Sequence, residues 1–211
     1  MFREFLTRLP YLLAACIPAL TFHEWAHAVV AHQFGDDLPK RSGRLSLNPF
    51  VHLDFLGTIA IFLIGFGWAK PVPIEPSRLK GSWGAFVVAL AGPAMNFILA
   101  SIFAILLNTG LYLMMGPENG EIFGKICFAS IQVNLAWAIF NLIPIGPLDG
   151  NHIVERLLPV RASLRYSQWN LEHGSMLLFV LIILDSLTPV HVISSVVMIP
   201  VQWVMTMMLK A

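Results

Sequence analysis

The stretch TFHEWAHAVV, residues 21–30, contains His23, Glu24 and His27. On a helix, positions i and i+4 lie on one face, so both imidazoles can reach the same ion. Zinc favours nitrogen ligands in tetrahedral geometry, and a catalytic centre uses three protein ligands and keeps one position open. Glu24 is one residue on from His23, placed to reach water at that open position instead of the ion itself. Such a centre needs a third ligand. Asp149, in NLIPIGPLDGNHI, is the foremost candidate; His152 in the same loop and His52 in NPFVHLD are its rivals. The break at Pro144, Gly146 and Pro147 suits irregular backbone, which is tolerated at membrane depth only where it is buried in protein or lines a cavity. The competing reading makes PLDG an ordinary turn and the histidines interior residues satisfied by neighbouring helices. Ionisable groups inside a membrane span default to function, which favours the metal reading.

The elements that must position these groups are almost uniformly apolar. The chain has 211 residues, 57% of them hydrophobic and 12% charged, with a mean hydropathy of +0.74. A soluble domain is about one quarter charged, so the composition is that of an all-α polytopic membrane protein. A net charge of +1 supplies no basic surface for nucleic acid. Cys16 and Cys127 both lie in apolar runs and read as buried packing residues. The N-terminal run leads straight into HEWAH without a small-residue cleavage site, so it reads as a retained span and not a signal peptide.

Polar breaks divide the chain into about six transmembrane segments: Pro10–His32, Phe55–Ala69, Ser82–Met115, Ile122–Ile143, Ser175–Leu187 and Val190–Leu209. The second is short, about 22 Å of helix against a hydrocarbon core of roughly 30 Å, so it either borrows flanking residues or is re-entrant. If all six cross, Arg3, Arg8, Lys70, Arg78, Lys80, Arg156, Arg161, Arg165 and Lys210 share one face. Lys40, Arg41, Arg44 and Lys125 take the other. The positive-inside rule then puts both termini in the cytoplasm. His32, His173 and His191 read as interfacial, and Asp185 as a cap or surface pair.

HEWAH with NLIPIGPLDG far downstream resembles the site-2 protease family of intramembrane zinc metalloproteases. That family's pattern pairs HExxH in one core span with NxxPxxxLDG in another; Asn141, Pro144, Leu148, Asp149 and Gly150 match position by position. AGPAMN (residues 91–96) resembles the family's GPxxN, and NPFVHLD and GFGWAKPVPI resemble segments of its compact bacterial branch. The resemblance covers residues 23–150. It implies one zinc ion held by His23, His27 and Asp149, with Glu24 as general base and then proton donor to the leaving amine. It also implies that Asn96, Asn141 or both orient the substrate backbone or stabilise the oxyanion; helix-to-helix glue is the plainer role for either amide. The substrate would be a transmembrane segment, cleaved in or near the bilayer after local unwinding. GFGWAKPVPIEP would form a short membrane-embedded β loop offering an edge to it; the plainer reading is a surface loop.

Residues 1–170 are thus expected to form the metalloprotease core, followed by two C-terminal transmembrane segments in 171–211 that match no motif. There is no room between the core spans for a PDZ domain, nor at the C-terminus for a CBS pair. The expected setting is a bacterial or archaeal cell membrane. Two rivals remain: a divalent-metal transporter, which would need several ligating sites along a path, and an inactive family member that binds membrane proteins.

Overall fold

The computed structural model describes residues 2–64, 67–189 and 191–210. Its helices are α1 (Phe2–Gln33), α2 (Leu38–Arg41), α3 (Phe55–Ile64), α4 (Gly84–Asn108), α5 (Pro117–Asn141), α6 (Asp149–Leu157), α7 (Val160–Trp169), α8 (Ser175–Leu187) and α9 (Val192–Lys210). Residues 65 and 66, which open the GFGWAKPVPIEP segment, and Val190 lie outside the described residues.

Buried residues recurring every fourth position bring the long helices together. On α1 they are Ala15, Ala19, His23, His27 and Ala31. On α4 they are Val88, Gly92, Asn96, Ala100 and Ala104. Small side chains let two backbones approach closely where no hydrophobic force drives helices together in lipid. The same spacing recurs on α5, as Cys127, Ile131, Leu135 and as Ser130, Asn134, Ala138. Beyond the polar part of these stripes, Ala100, Ala104, Ile131 and Leu135 pack with Val197 and Val201 of α9 in an apolar core. Asp185 accepts from the backbone N–H groups of Ile193 and Ser194, capping the first turn of α9.

Among the described residues five helices are long and apolar enough to cross a membrane: Thr7–Gln33, Gly84–Asn108, Pro117–Asn141, Val160–Leu187 and Val192–Leu209. The architecture is the expected all-α polytopic one, with one span displaced and one open alternative decided. First, the expected fifth span begins earlier. α7 continues through a π-helical turn, Asn170–Gly174, into α8, so part of the stretch read as broken and polar is the start of a span.

Second, the run 55–69 goes out and returns. α3 has 10 residues, and the residues flanking the excursion, Leu53 and Ala69, form an antiparallel β-bridge. The Lys70 N–H also donates to the His52 carbonyl at 2.8 Å. Bridged residues lie about 5 Å apart, so the two ends cannot sit on opposite sides of a core roughly 30 Å thick. The loops 34–54 and 67–83 are thereby joined at the Leu53–Ala69 bridge. The expected β loop reduces, among the described residues, to this single bridge followed by extended backbone.

That strap, residues 67–76 and extended up to Glu75, is pinned from both sides. Arg44 is buried and donates to the carbonyls of Lys70 and Pro71 at 2.9 and 3.1 Å. Asp36, fully buried, accepts from the Glu75 N–H at 2.7 Å. Replacing Arg44 with alanine leaves both carbonyls without this donor. The Arg44→Ala variant should raise amide hydrogen exchange in residues 67–76 while the exchange of α4 and α5 stays unchanged; equal exchange in the strap would show that Arg44 does not hold it.

Candidate metal centre and active site

The spacing-four stripes place His23 and His27 of α1 against Gly92 of α4. A Cβ on Gly92 would lie 2.3 Å from His27 Nε2 and 2.6 Å from His23 Nε2. Glycine is required here by that close approach, not by backbone conformation.

Each imidazole is oriented from behind. His27 Nδ1 is 2.7 Å from the Val88 carbonyl, and a carbonyl only accepts, so Nδ1 carries the proton. His23 Nδ1 is 2.6 Å from Asn96 Oδ1. Asn96 Nδ2 donates to the Ala19 carbonyl at 3.1 Å and to Asn134 Oδ1 at 2.8 Å, which turns Oδ1 toward the histidine and makes His23 Nδ1 a donor too. Both Nε2 lone pairs then point forward, 3.1 Å apart.

Asp149 completes the group from α6. Its Oδ2 lies 3.2 Å from His23 Nε2 and 3.3 Å from His27 Nε2, is buried, and has no hydrogen-bond partner. Gly150 seats α6, since a Cβ there would lie 2.3 Å from the Leu142 carbonyl and 2.5 Å from that of Ile143. At the other end of α6, Arg156 donates to the Ser82 carbonyl at 2.6 Å and stacks over the Trp83 ring at 4.6 Å. The preceding loop is clasped by the π turn: Asn170 Oδ1 accepts from the Gly146 N–H at 2.8 Å, and a Cβ on Gly174 would meet the Gly146 carbonyl at 2.9 Å.

His23, His27 and Asp149 thus offer three ligand atoms within 4.8 Å of one another, the one such group among the described residues. Three electron-pair donors facing each other in a buried pocket repel unless a cation lies between them. Two nitrogens and one carboxylate oxygen, each available as a lone pair, fit a zinc ion. Neither rival for the third ligand joins this group, although His152 lies on the wall of the same cavity. His52 is fully buried with Nε2 donating to the Ser46 carbonyl at 2.7 Å. His152 is largely exposed and sits 3.5 Å from Glu155.

A cavity of about 680 Å³ opens in front of the three donors and is lined also by Glu24, Val72, Trp137, Asn141 and Phe179. Glu24 Oε2 accepts from the Val72 N–H of the strap at 3.3 Å. The two candidate substrate amides separate here. Asn141 lines the cavity, with Nδ2 on the Trp137 carbonyl of its own helix. Asn96 has no exposure and stands behind His23 with both amide atoms engaged, a place that does not suit the expected contact with substrate. Sequence reasoning missed Asn134 and Asn170; the signal was there, because a buried amide in an apolar run needs a partner.

Residues 113–181, the stretch that carries Asp149, match the profile of peptidase family M50. Relatives named "Putative zinc metalloprotease" align over most of the chain. YwhC of Bacillus subtilis is 43% identical over 170 residues, 77% of each chain. Rip2 of Mycolicibacterium smegmatis is 28% identical over 184 residues, 83% of this chain and 68% of the relative. MJ0611 of Methanocaldococcus jannaschii is 30% identical over 136 residues, 64% and 63% of the two chains. No solved structure matches. A bundle of helices apolar enough to cross a membrane thus carries a buried His–His–Asp group that could hold a metal ion. The chain belongs to peptidase family M50, the site-2 protease family.

Gly92→Ala gives the tightest test of the pocket. The added methyl must push the imidazoles off their common focus, so metal retained after purification should fall at least about tenfold. Undiminished retention, by elemental analysis, would place the ion elsewhere.

Proposed function

We propose that the protein is an intramembrane zinc endopeptidase, hydrolysing a peptide bond in or near a transmembrane segment of a membrane-protein substrate. The observation that carries this reading is the convergence of three lone pairs, from His23, His27 and Asp149, on one buried point, with Glu24 on the same cavity wall. Zinc held there would polarise the scissile carbonyl and lower the pKa of water. Glu24, steadied by the Val72 N–H, takes the proton of the attacking water and returns it to the leaving amine nitrogen. Asn141, on the cavity wall, is placed to bind the unwound substrate backbone. One group of ligand atoms among the described residues, instead of a series along a path, speaks against metal transport.

Orientation follows from the excursion at 55–69. With five crossings, Lys40, Arg41, Arg44, Lys70, Arg78, Lys80, Arg156, Arg161, Arg165 and Lys210 gather toward one face. Arg3, Arg8 and Lys125 remain toward the other. The positive-inside rule then puts the strap face and the C-terminus in the cytoplasm and the N-terminus outside.

Glu24→Gln should keep its zinc and lose cleavage of a single-span substrate in detergent by about 10²–10⁴-fold; normal cleavage by this variant would end the proposed mechanism. Asp149→Asn should weaken zinc retention, and unchanged stoichiometry and affinity would remove Asp149 from the ligand set. Reporter fusions at the two termini should report opposite faces; the same face for both would restore an even number of crossings.

A further inference from the structure

The polar groups behind His23 form one directed chain through three helices. Asn134 Nδ2 of α5 donates to the Ser130 carbonyl at 2.8 Å, which can only accept. Asn134 Oδ1 is therefore the atom that faces α4, where it accepts from Asn96 Nδ2 at 2.8 Å. Asn96 Nδ2 also donates to the Ala19 carbonyl of α1, and Asn96 Oδ1 accepts from His23 Nδ1. Asn96 is fully buried and Asn134 nearly so, and Asn134 touches neither the ligand atoms nor the cavity.

We infer that Asn134 is a positioning residue for the metal centre: acting through Asn96, it fixes His23 in the tautomer that presents a bare Nε2 to the ion. This rests on His23 being a metal ligand, as proposed above. The physical reason is the two-fold ambiguity of an amide. Were Asn96 to flip, its NH2 would face His23 Nδ1. The neutral ring would then move its proton to Nε2, where the ion's electron pair should be. The Ala19 carbonyl opposes that flip, and Asn134 Oδ1 is the second lock. Helix glue would explain a buried Asn134, but it would not require this direction of donors along the whole chain. Partners that set a ligating histidine's tautomer typically contribute about 10–100-fold in metal affinity.

The test uses the full chain in detergent with 15N-labelled histidine, metal-stripped for long-range 1H–15N spectra and titrated with zinc against a chelator. Wild type should show His23 protonated at Nδ1. Asn134→Leu should populate the Nε2–H form and lose about 10–100-fold in zinc affinity. Asn134→Asp retains an acceptor for Asn96 and should keep the wild-type tautomer. An Nε2–H His23 in wild type overturns the inference without any variant. So does Asn134→Leu with unchanged tautomer and affinity, even if its melting temperature falls. Should the leucine variant not fold, Asn134→Ala, which also removes the acceptor, takes its place: an Nε2–H His23 with weakened zinc binding supports the inference, and a wild-type tautomer with unchanged affinity refutes it. Wild type that binds no zinc would instead refute the metal reading, and zinc binding with an undisturbed Asn134→Leu would refute only this inference.

Discussion

Two imidazole nitrogens and a carboxylate oxygen aimed at one another inside an apolar bundle repel each other, and much of the structure serves to hold them there. Left alone, each would rotate toward a donor or toward water. They do not because the two imidazoles are held from behind and the backbone that carries the carboxylate is seated. The Val88 carbonyl takes His27 Nδ1, Asn96 takes His23 Nδ1, and the seat of Gly150 on the Leu142 and Ile143 carbonyls aims Asp149. A cation joining them would offset the cost of desolvating these groups, with folding preparing the site that the ion would complete.

The close contact of α1 with α4 follows from the same demand. The two stripes carry small residues at Ala15, Ala19, Ala31, Ala100 and Ala104, and polar ones at the level of the site. One methyl at Gly92 would occupy the space at the imidazole nitrogens. Packing and chemistry are thus written on the same face of each helix, and a change in helix spacing is a change in ligand geometry.

The strap and the C-terminal spans each take a part in the site that their sequences do not announce. The out-and-back path of residues 53–69 joins both flanking loops at the Leu53–Ala69 bridge, and buried Arg44 and Asp36 hold the strap where Val72 reaches Glu24. The π turn at Asn170–Gly174 brings the end of α7 against Gly146, on the loop that delivers Asp149. Residues 171–211 are therefore part of the clasp and the cavity wall, through Gly174 and Phe179, and not only an anchor.

Much of this was determined by the sequence alone. The apolar composition required a helical membrane bundle, because lipid supplies no partner for open backbone. The i, i+4 histidines with an adjacent glutamate pointed to a candidate metal site and base, since helical geometry is local. Asp149 could be named from the sequence, but not chosen over His52 and His152 on residue type. Folding groups Asp149 with the two histidines, buries His52 against Ser46, and leaves His152 on the cavity wall, largely exposed beside Glu155. Tertiary structure likewise decided that 55–69 returns instead of crossing, because hydropathy measures the length of an apolar run and not where its ends meet. It also put Asn96 at the back of His23, joined to α1 and α5, and left Asn141 on the cavity wall. An amide's role is set by which partner lies across the helix interface, and neither periodicity nor motif spacing carries that information.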